Sequence, residues 1–156
     1  MKYYLVFTFF IVITLLSCKK DSNPASMEAT IDGTKWTAIT RVSKHFVSTG
    51  MYTITGTSAS GEVLVITIKG EEEGSYNSST SIDSLNAQVG AVFQPDASSP
   101  TEDNFFSTSG TVTITELDKN EQTISGTFSF TMSKMSETKS ITNGKFENLN
   151  YSESSQ

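Results

Sequence analysis

Cys18 is the residue whose sequence context most clearly predicts a covalent reaction. It is the single cysteine of the 156-residue chain, and it follows a basic start (Lys2), an uncharged apolar run over residues 3–16 and the small residue Ser17. A basic start, an apolar stretch and a small residue before the cut are typical of a secretory signal peptide. The run is also shorter than the roughly 20 apolar residues of a transmembrane helix. The sequence therefore predicts export.

The motif Leu15-Leu16-Ser17-Cys18 resembles the lipobox of bacterial lipoproteins. The resemblance implies that residues 1–17 are a signal peptide that is removed, that the Cys18 thiol receives a diacylglycerol, and that the new amino group is acylated as well. Two or more acyl chains hold a protein stably to a bilayer, whereas one chain binds marginally. The protein would then be attached to the membrane by the acyl chains on Cys18. The alternatives are an uncleaved N-terminal anchor helix and an ordinary signal peptide with a coincidental cysteine.

A tether is predicted over residues 18–26, because this segment is polar, contains Pro24 and lacks apolar periodicity. Lipoproteins of the kind that Cys18 suggests are retained at the inner membrane by Asp at the next position, and here that residue is Lys19. We therefore expect attachment to the outer membrane of a Gram-negative bacterium. Which face of that membrane the protein occupies is left open.

Candidate catalytic and metal-binding residues are scarce. The single histidine, His45, is expected to face solvent beside Arg41 and Ser43. One histidine and no free cysteine do not make a zinc site or a Cys–His pair, and no Gly-x-Ser-x-Gly pattern is present. Acidic clusters at 71–73 and 102–103 could bind calcium or act on a glycan, but consecutive side chains diverge, so solvated edges are favoured. We predict no enzyme activity, cofactor or metal.

Two weaker site hypotheses concern Ser84 and the pair Phe105-Phe106. Asp83-Ser84-Leu85 resembles a short O-glycan acceptor of some exported bacterial proteins, and an Asp-Ser turn before a helical bend is the alternative. Successive strand residues face opposite ways, so Phe105 and Phe106 cannot both enter a core. One ring is expected outside or folded over the rim, where it would face a ligand; core or rim packing is the alternative.

The elements that carry these residues are predicted to be β-strands, since apolar and polar residues alternate with a period of two from Met27 onward. Asp32-Gly33 is typical of a tight hairpin turn. Strands are expected near residues 27–32, 35–47, 51–58, 62–69, 74–78, 87–94, 105–117, 122–133 and 139–151. Eight or nine short antiparallel strands indicate one all-β domain over 27–151, either a β-sandwich or a closed β-barrel. Residues 152–156 are predicted to be a disordered tail.

Four motifs in order resemble a family of small, uncharacterised all-β bacterial lipoproteins, a domain of unknown function. They are Asp32-Gly33 ahead of Trp36, GTVTITELD at 110–118, ISGTFSF at 124–130 and ITNGKF at 141–146. The resemblance covers nearly all of the chain after the signal. Its motifs are turn glycines and strand alternation, so it implies a fold and a lipoprotein and carries no activity.

The net charge of −6 argues against binding nucleic acid or adhering directly to anionic headgroups. The leading functional hypothesis is a non-catalytic binding or accessory module that presents loops to an envelope protein or glycan. The alternatives are a structural envelope protein that packs into a larger assembly and a lipocalin-like carrier of an apolar ligand. A lined cavity would favour the carrier, and an exposed apolar patch near residues 94–106 would favour the binding module.

Overall fold

The computed structural model describes residues 24–78, 88–98 and 103–155. Within these ranges the chain forms nine strands: β1 (Ser26–Ile31), β2 (Thr34–Phe46), β3 (Met51–Ser58), β4 (Val63–Lys69), β5 (Gly74–Ser78), β6 (Val89–Gln94), β7 (Phe105–Asp118), β8 (Thr123–Lys134) and β9 (Glu137–Ser154). None of the described residues belongs to a helix long and apolar enough to cross a membrane.

Eight of the strands close into an antiparallel barrel. Around the ring the order is β1, β2, β3, β4, β6, β7, β8 and β9, and β9 pairs back with β1. The ninth strand, β5, lies outside this ring and pairs with β7, where Gly74 is opposite Ile114 and Ser78 is opposite Gly110. The prediction of an all-β fold of eight or nine antiparallel strands is confirmed, and the barrel is the architecture that forms.

Side chains fill the interior of the barrel. A ring of eight strands encloses a space just wide enough for its own inward-facing residues. The largest fully buried side chains include Tyr52, Phe93, Phe146, Met27, Ile54, Leu64, Ile66, Ile68 and Met132. These residues form the core that holds the strands of the barrel together.

The turn between β1 and β2 has the conformation that its sequence predicts. Asp32 and Gly33 both have positive φ, 48° and 81°, as a primed two-residue turn requires. The Asp32 carboxylate accepts a hydrogen bond from the Ser140 N–H at 2.8 Å and another from Lys139 Nζ at 3.0 Å. Asp32 therefore ties this turn to the start of β9.

A β-bulge in β2 reverses which side chains enter the barrel. The register of β2 against β3 shifts between Ala38 and Thr40, and one extra residue moves every following side chain to the opposite face. After the bulge Ser43 and His45 are buried, while Val42 is 49% exposed. The expectation that His45 faces solvent is therefore wrong. It assumed unbroken alternation along β2, and such a pattern gives no sign of the extra residue at a bulge.

The C-terminal residues continue β9 beyond its expected end. Residues 151–154 pair in parallel with residues 43–46 of β2. The short strand β1 begins at Ser26 and lies between β2 and β9. Beyond the start of β1, the two longer strands pair directly with each other. The expectation of a disordered tail is therefore wrong for residues 152–154, which gain ladder hydrogen bonds.

Candidate binding surface

Exposed apolar side chains on the outside of the barrel define the candidate surface. In the described part of the chain, five large apolar residues are exposed: Ile39 (64%), Val42 (49%), Val47 (51%), Phe106 (56%) and Met135 (94%). The first three lie on β2 or just after it, and the other two lie on β7 and just after β8. β2 and β7 are four steps apart in a ring of eight strands. The two groups therefore lie on opposite sides of the barrel.

Phe105 and Phe106 face opposite sides of β7. Phe105 is buried and its ring packs near that of Phe93, with centroids 6.5 Å apart. Phe106 points outward and lies opposite Val92 of β6 and Ser133 of β8. Of the two phenylalanines, Phe106 is the one that a partner can reach.

A row of uncharged side chains runs across the outer face from β2 to β7. Val42 is opposite Thr55, Thr55 opposite Val65, Val65 opposite Val92, and Val92 opposite Phe106. Directly opposed residues place their Cβ atoms roughly 4.5–5.5 Å apart, close enough for side chains to touch. The row is therefore a continuous band of β-branched and aromatic groups.

We call the β7 end of this band the Phe106 patch and define it as Val65, Val92, Phe106 and Met135. Met135 follows Lys134, the last residue of β8, two positions beyond the Ser133 that pairs with Phe106. Its side chain is 94% exposed. The Phe106 patch thus combines a strand-held aromatic ring with a flexible thioether at a hairpin tip, and thioethers adapt well to irregular surfaces.

Two lysines close the end of the barrel behind the Phe106 patch. Lys134 Nζ and Lys139 Nζ lie 5.4 and 5.1 Å from the centroid of the Phe105 ring, a distance at which a cation is attracted to an aromatic face. Lys134 also pairs with Asp103 at 3.2 Å, and Lys139 pairs with Asp32 at 3.0 Å. These contacts join the β8–β9 hairpin to Asp103 and to the turn between β1 and β2.

A buried polar cluster lies at the other end of the barrel. His45 stacks on Tyr52, with centroids 4.3 Å apart and planes 10° apart, and Tyr151 meets both rings edge-on. Glu71 Oε1 lies 3.3 Å from His45 Nε2, and Glu153 Oε1 lies 3.8 Å from Nδ1. The carboxylates approach different nitrogens and do not converge. Nowhere in the described ranges do three His, Asp or Glu side chains group to hold a metal ion.

The phenol of Tyr52 is buried within this cluster. Burial raises the pKa of its phenol well above the ordinary value of 10.0, and the Tyr151 hydroxyl and the carboxylates of Glu71 and Glu153 act in the same direction. Anionic neighbours and an apolar interior both penalise a phenolate. The cluster therefore keeps Tyr52 neutral. The side chains of the cluster join β2, β3 and β9.

The acidic residues at 71–73 line an open surface groove with Glu116 and Asp118, of about 740 Å³. Within it the Glu73 carboxylate accepts a hydrogen bond from the Leu117 N–H at 3.3 Å. Of the other predicted acidic cluster the structure describes Asp103, which pairs with Lys134 and does not line this groove.

Cys18, Ser84, Glu102 and the predicted bend near 81–86 lie outside the described residues. The exposed apolar residues that sequence reasoning missed are Ile39, Val42, Val47 and Met135. Strand alternation assigns Val42 to the core, and the bulge that turns it outward has no Gly or Pro to mark it. In the structure Arg41 Nη1 donates to the Ala38 carbonyl across this bulge at 2.7 Å. This contact forms only in the folded chain, so the sequence pattern does not reveal it.

Comparison with known proteins gives one family. Residues 23–150 match the family described as "Domain of unknown function (DUF6252)". The match begins ahead of β1 and ends within β9, so it spans the whole ring of strands. No curated protein and no solved structure matches the chain.

Proposed function

The chain belongs to the DUF6252 family of domains of unknown function, and we propose that it is a lipoprotein of the bacterial envelope whose barrel is a non-catalytic binding module. Acyl chains on Cys18 hold it, and the outer membrane of a Gram-negative bacterium is its expected site. The Phe106 patch contacts a partner, which is an envelope protein or an envelope glycan.

The lipid anchor is supported by the sequence and by where the fold begins. The motif that ends in Cys18 is followed by a short polar segment, and β1 starts at Ser26. The next residue, Met27, is completely buried. The barrel therefore begins directly after the proposed tether, as expected for a domain hung from a lipidated N-terminus.

The binding role is carried by one observation: Phe106 is 56% exposed although it sits within a strand that is paired on both sides. Leaving a large aromatic ring in water forgoes favourable burial. Exposed aromatic and Met side chains on a rigid scaffold are typical of the centres of protein interfaces. An exposed aromatic ring can also stack on a sugar.

A structural role is the second candidate, because the same uncharged band could pack permanently into a larger envelope assembly. The two roles differ in whether the contact between the barrel and its partner is reversible or permanent. A binding module is recovered free as well as bound, whereas an assembly component is recovered in the complex alone. The filled interior gives the carrier hypothesis no such supporting observation.

The test uses the full-length lipoprotein in its native envelope. A photo-crosslinking phenylalanine analogue replaces Phe106 in one variant and Ser129, an exposed β8 residue, in the matched control. We expect a discrete crosslinked product, protein or glycan, from position 106 and none from position 129. Equal labelling at both positions, or none at position 106, would remove the binding role from this patch.

A further inference from the structure

The second group of exposed apolar residues lies on β2. Ile39, Val42 and Val47 are exposed, and the exposed Lys44 lies between them in sequence. We call these four residues the β2 patch. The Val47 N–H donates to the Ser154 carbonyl at 3.1 Å, so the residue just beyond β2 is fixed against the end of β9.

Partly buried apolar residues and a second lysine extend the β2 patch. Phe46 lies opposite Met51 of β3, and Met51 lies opposite the exposed Lys69 of β4. The surface at this end of β2 to β4 therefore mixes apolar side chains with two lysines, and Glu71 and Glu72 lie beside Lys69. Apolar groups interleaved with lysine are typical of surfaces that rest on lipid headgroups.

The β2 patch adjoins the point where the tether enters the barrel. β1 pairs with β2 as far as Glu28, which lies opposite Thr37, so the start of β1 lies near the part of β2 where the patch begins. Ser26 is eight residues after Cys18, a distance of at most about 28 Å for an extended chain. A lipid on Cys18 would therefore hold the start of β1, and β2 beside it, within this distance of the bilayer.

The charges around the tether fit an anionic lipid surface. The chain carries a net charge of −6, but this charge is unevenly placed. Glu147 accepts from Ser26 Oγ at 3.0 Å at the start of β1 and pairs with Lys145 at 3.4 Å. The tether itself starts with Lys19 and Lys20, followed by Asp21. Basic groups beside an anchor strengthen its hold on anionic headgroups.

We propose that the β2 patch lies against the anionic bilayer surface to which Cys18 is anchored, which fixes the orientation of the barrel. This inference rests on the proposed lipidation of Cys18. Since β2 and β7 are on opposite sides of the ring, the same orientation points Phe106 away from the membrane. The two exposed apolar groups then have different occupants: lipid on one side and the partner on the other.

The test places a fluorophore on each side of the full-length lipoprotein. Cysteine replaces Val47 in one variant and Ser129 in the control, and a thiol-reactive environment-sensitive dye labels the new residue, since acylated Cys18 does not react. The protein is reconstituted in vesicles of phosphatidylethanolamine and phosphatidylglycerol that contain a lipid-attached quencher. We expect at least threefold stronger quenching at position 47 than at position 129.

Two further measurements separate this inference from the function it rests on. The intact mass of each preparation reports whether Cys18 is acylated, and loss of acylation would refute the anchor itself. If the protein is acylated and the two positions are quenched equally, the anchor stands and the orientation is wrong. In the charge variant K44E/K69E we expect the quenching difference to shrink at least twofold while the protein stays on the vesicles.

Discussion

His45 stacks face to face on Tyr52 inside the barrel, with ring centroids 4.3 Å apart. The stack exists because the bulge between Ala38 and Thr40 turns His45 inward and Val42 outward. One extra residue in β2 therefore builds the buried polar cluster and exposes Val42. The polar interior and the outward position of Val42 in the β2 patch have the same structural origin.

The neutral state of Tyr52 predicts a loss of stability at alkaline pH. Burial holds the folded-state pKa of Tyr52 above the unfolded value of 10.0. The stabilisation is complete below pH 10 and is lost as the pH rises from there toward the folded-state pKa. We expect the Tm to fall above pH 10, and to fall less in Y52F. Parallel pH profiles for the two proteins would contradict this account.

Asp32 predicts a loss of stability at acid pH. The hydrogen bond from the Ser140 N–H, and next the contact with Lys139, hold the pKa of Asp32 below its ordinary value of 3.8. The stabilisation is present above the unfolded pKa and is lost as the pH falls through the folded-state pKa.

The variant D32N tests this effect, because Asn also tolerates the positive φ of this turn. We expect D32N to lower the free energy of unfolding by about 0.5–1 kcal/mol, measured by urea denaturation at pH 7. This value is at the lower end of the range for hydrogen bonds because the site is partly solvated. The cost should shrink toward pH 3. A cost that is constant over this range would show that the carboxylate charge is unimportant.

Glycine at position 126 is required by its close neighbours. A Cβ there would lie 2.4 Å from the Thr113 carbonyl oxygen and 2.5 Å from the Phe146 ring. We expect G126A to destabilise the barrel by about 1–3 kcal/mol through overpacking. Gly90 is the matched control, since a Cβ at that position would have nothing within 4 Å. G90A should change stability by no more than about 0.5 kcal/mol, and similar losses in both variants would refute the packing argument.

Phe105 and Phe106 offer a test that separates scaffold from surface. Phe105 is 3% exposed and Phe106 is 56% exposed. We expect F105A to lose about 3–5 kcal/mol of stability, whereas F106S should change it by less than about 1 kcal/mol. In the native envelope F106S should nevertheless lose its partner. Denaturant unfolding and partner recovery measure the two effects, and a large stability loss in F106S would place its ring in the fold.

Much of the fold follows from the sequence because local chemistry determines it. Strand alternation places Leu64, Ile66 and Ile68 inside, and Asp32-Gly33 forms its turn, without information from distant residues. The bulge in β2 and the pairing of residues 152–154 depend on contacts between β2, β3 and β9. Long-range pairing of that kind has no local signature. The outward ring of the Phe105-Phe106 pair was accordingly predictable, and Met135 and the β2 patch were not.

Membrane fractionation of the variant C18A tests the central claim most directly. Cys18 is the single cysteine of the chain and the proposed site of the acyl chains. We expect the wild-type protein to appear in the detergent phase as a processed lipoprotein. The variant should be released from the membrane or keep its signal uncut, with the barrel still folded by circular dichroism. A C18A protein that is still processed and still partitions into detergent would contradict the account.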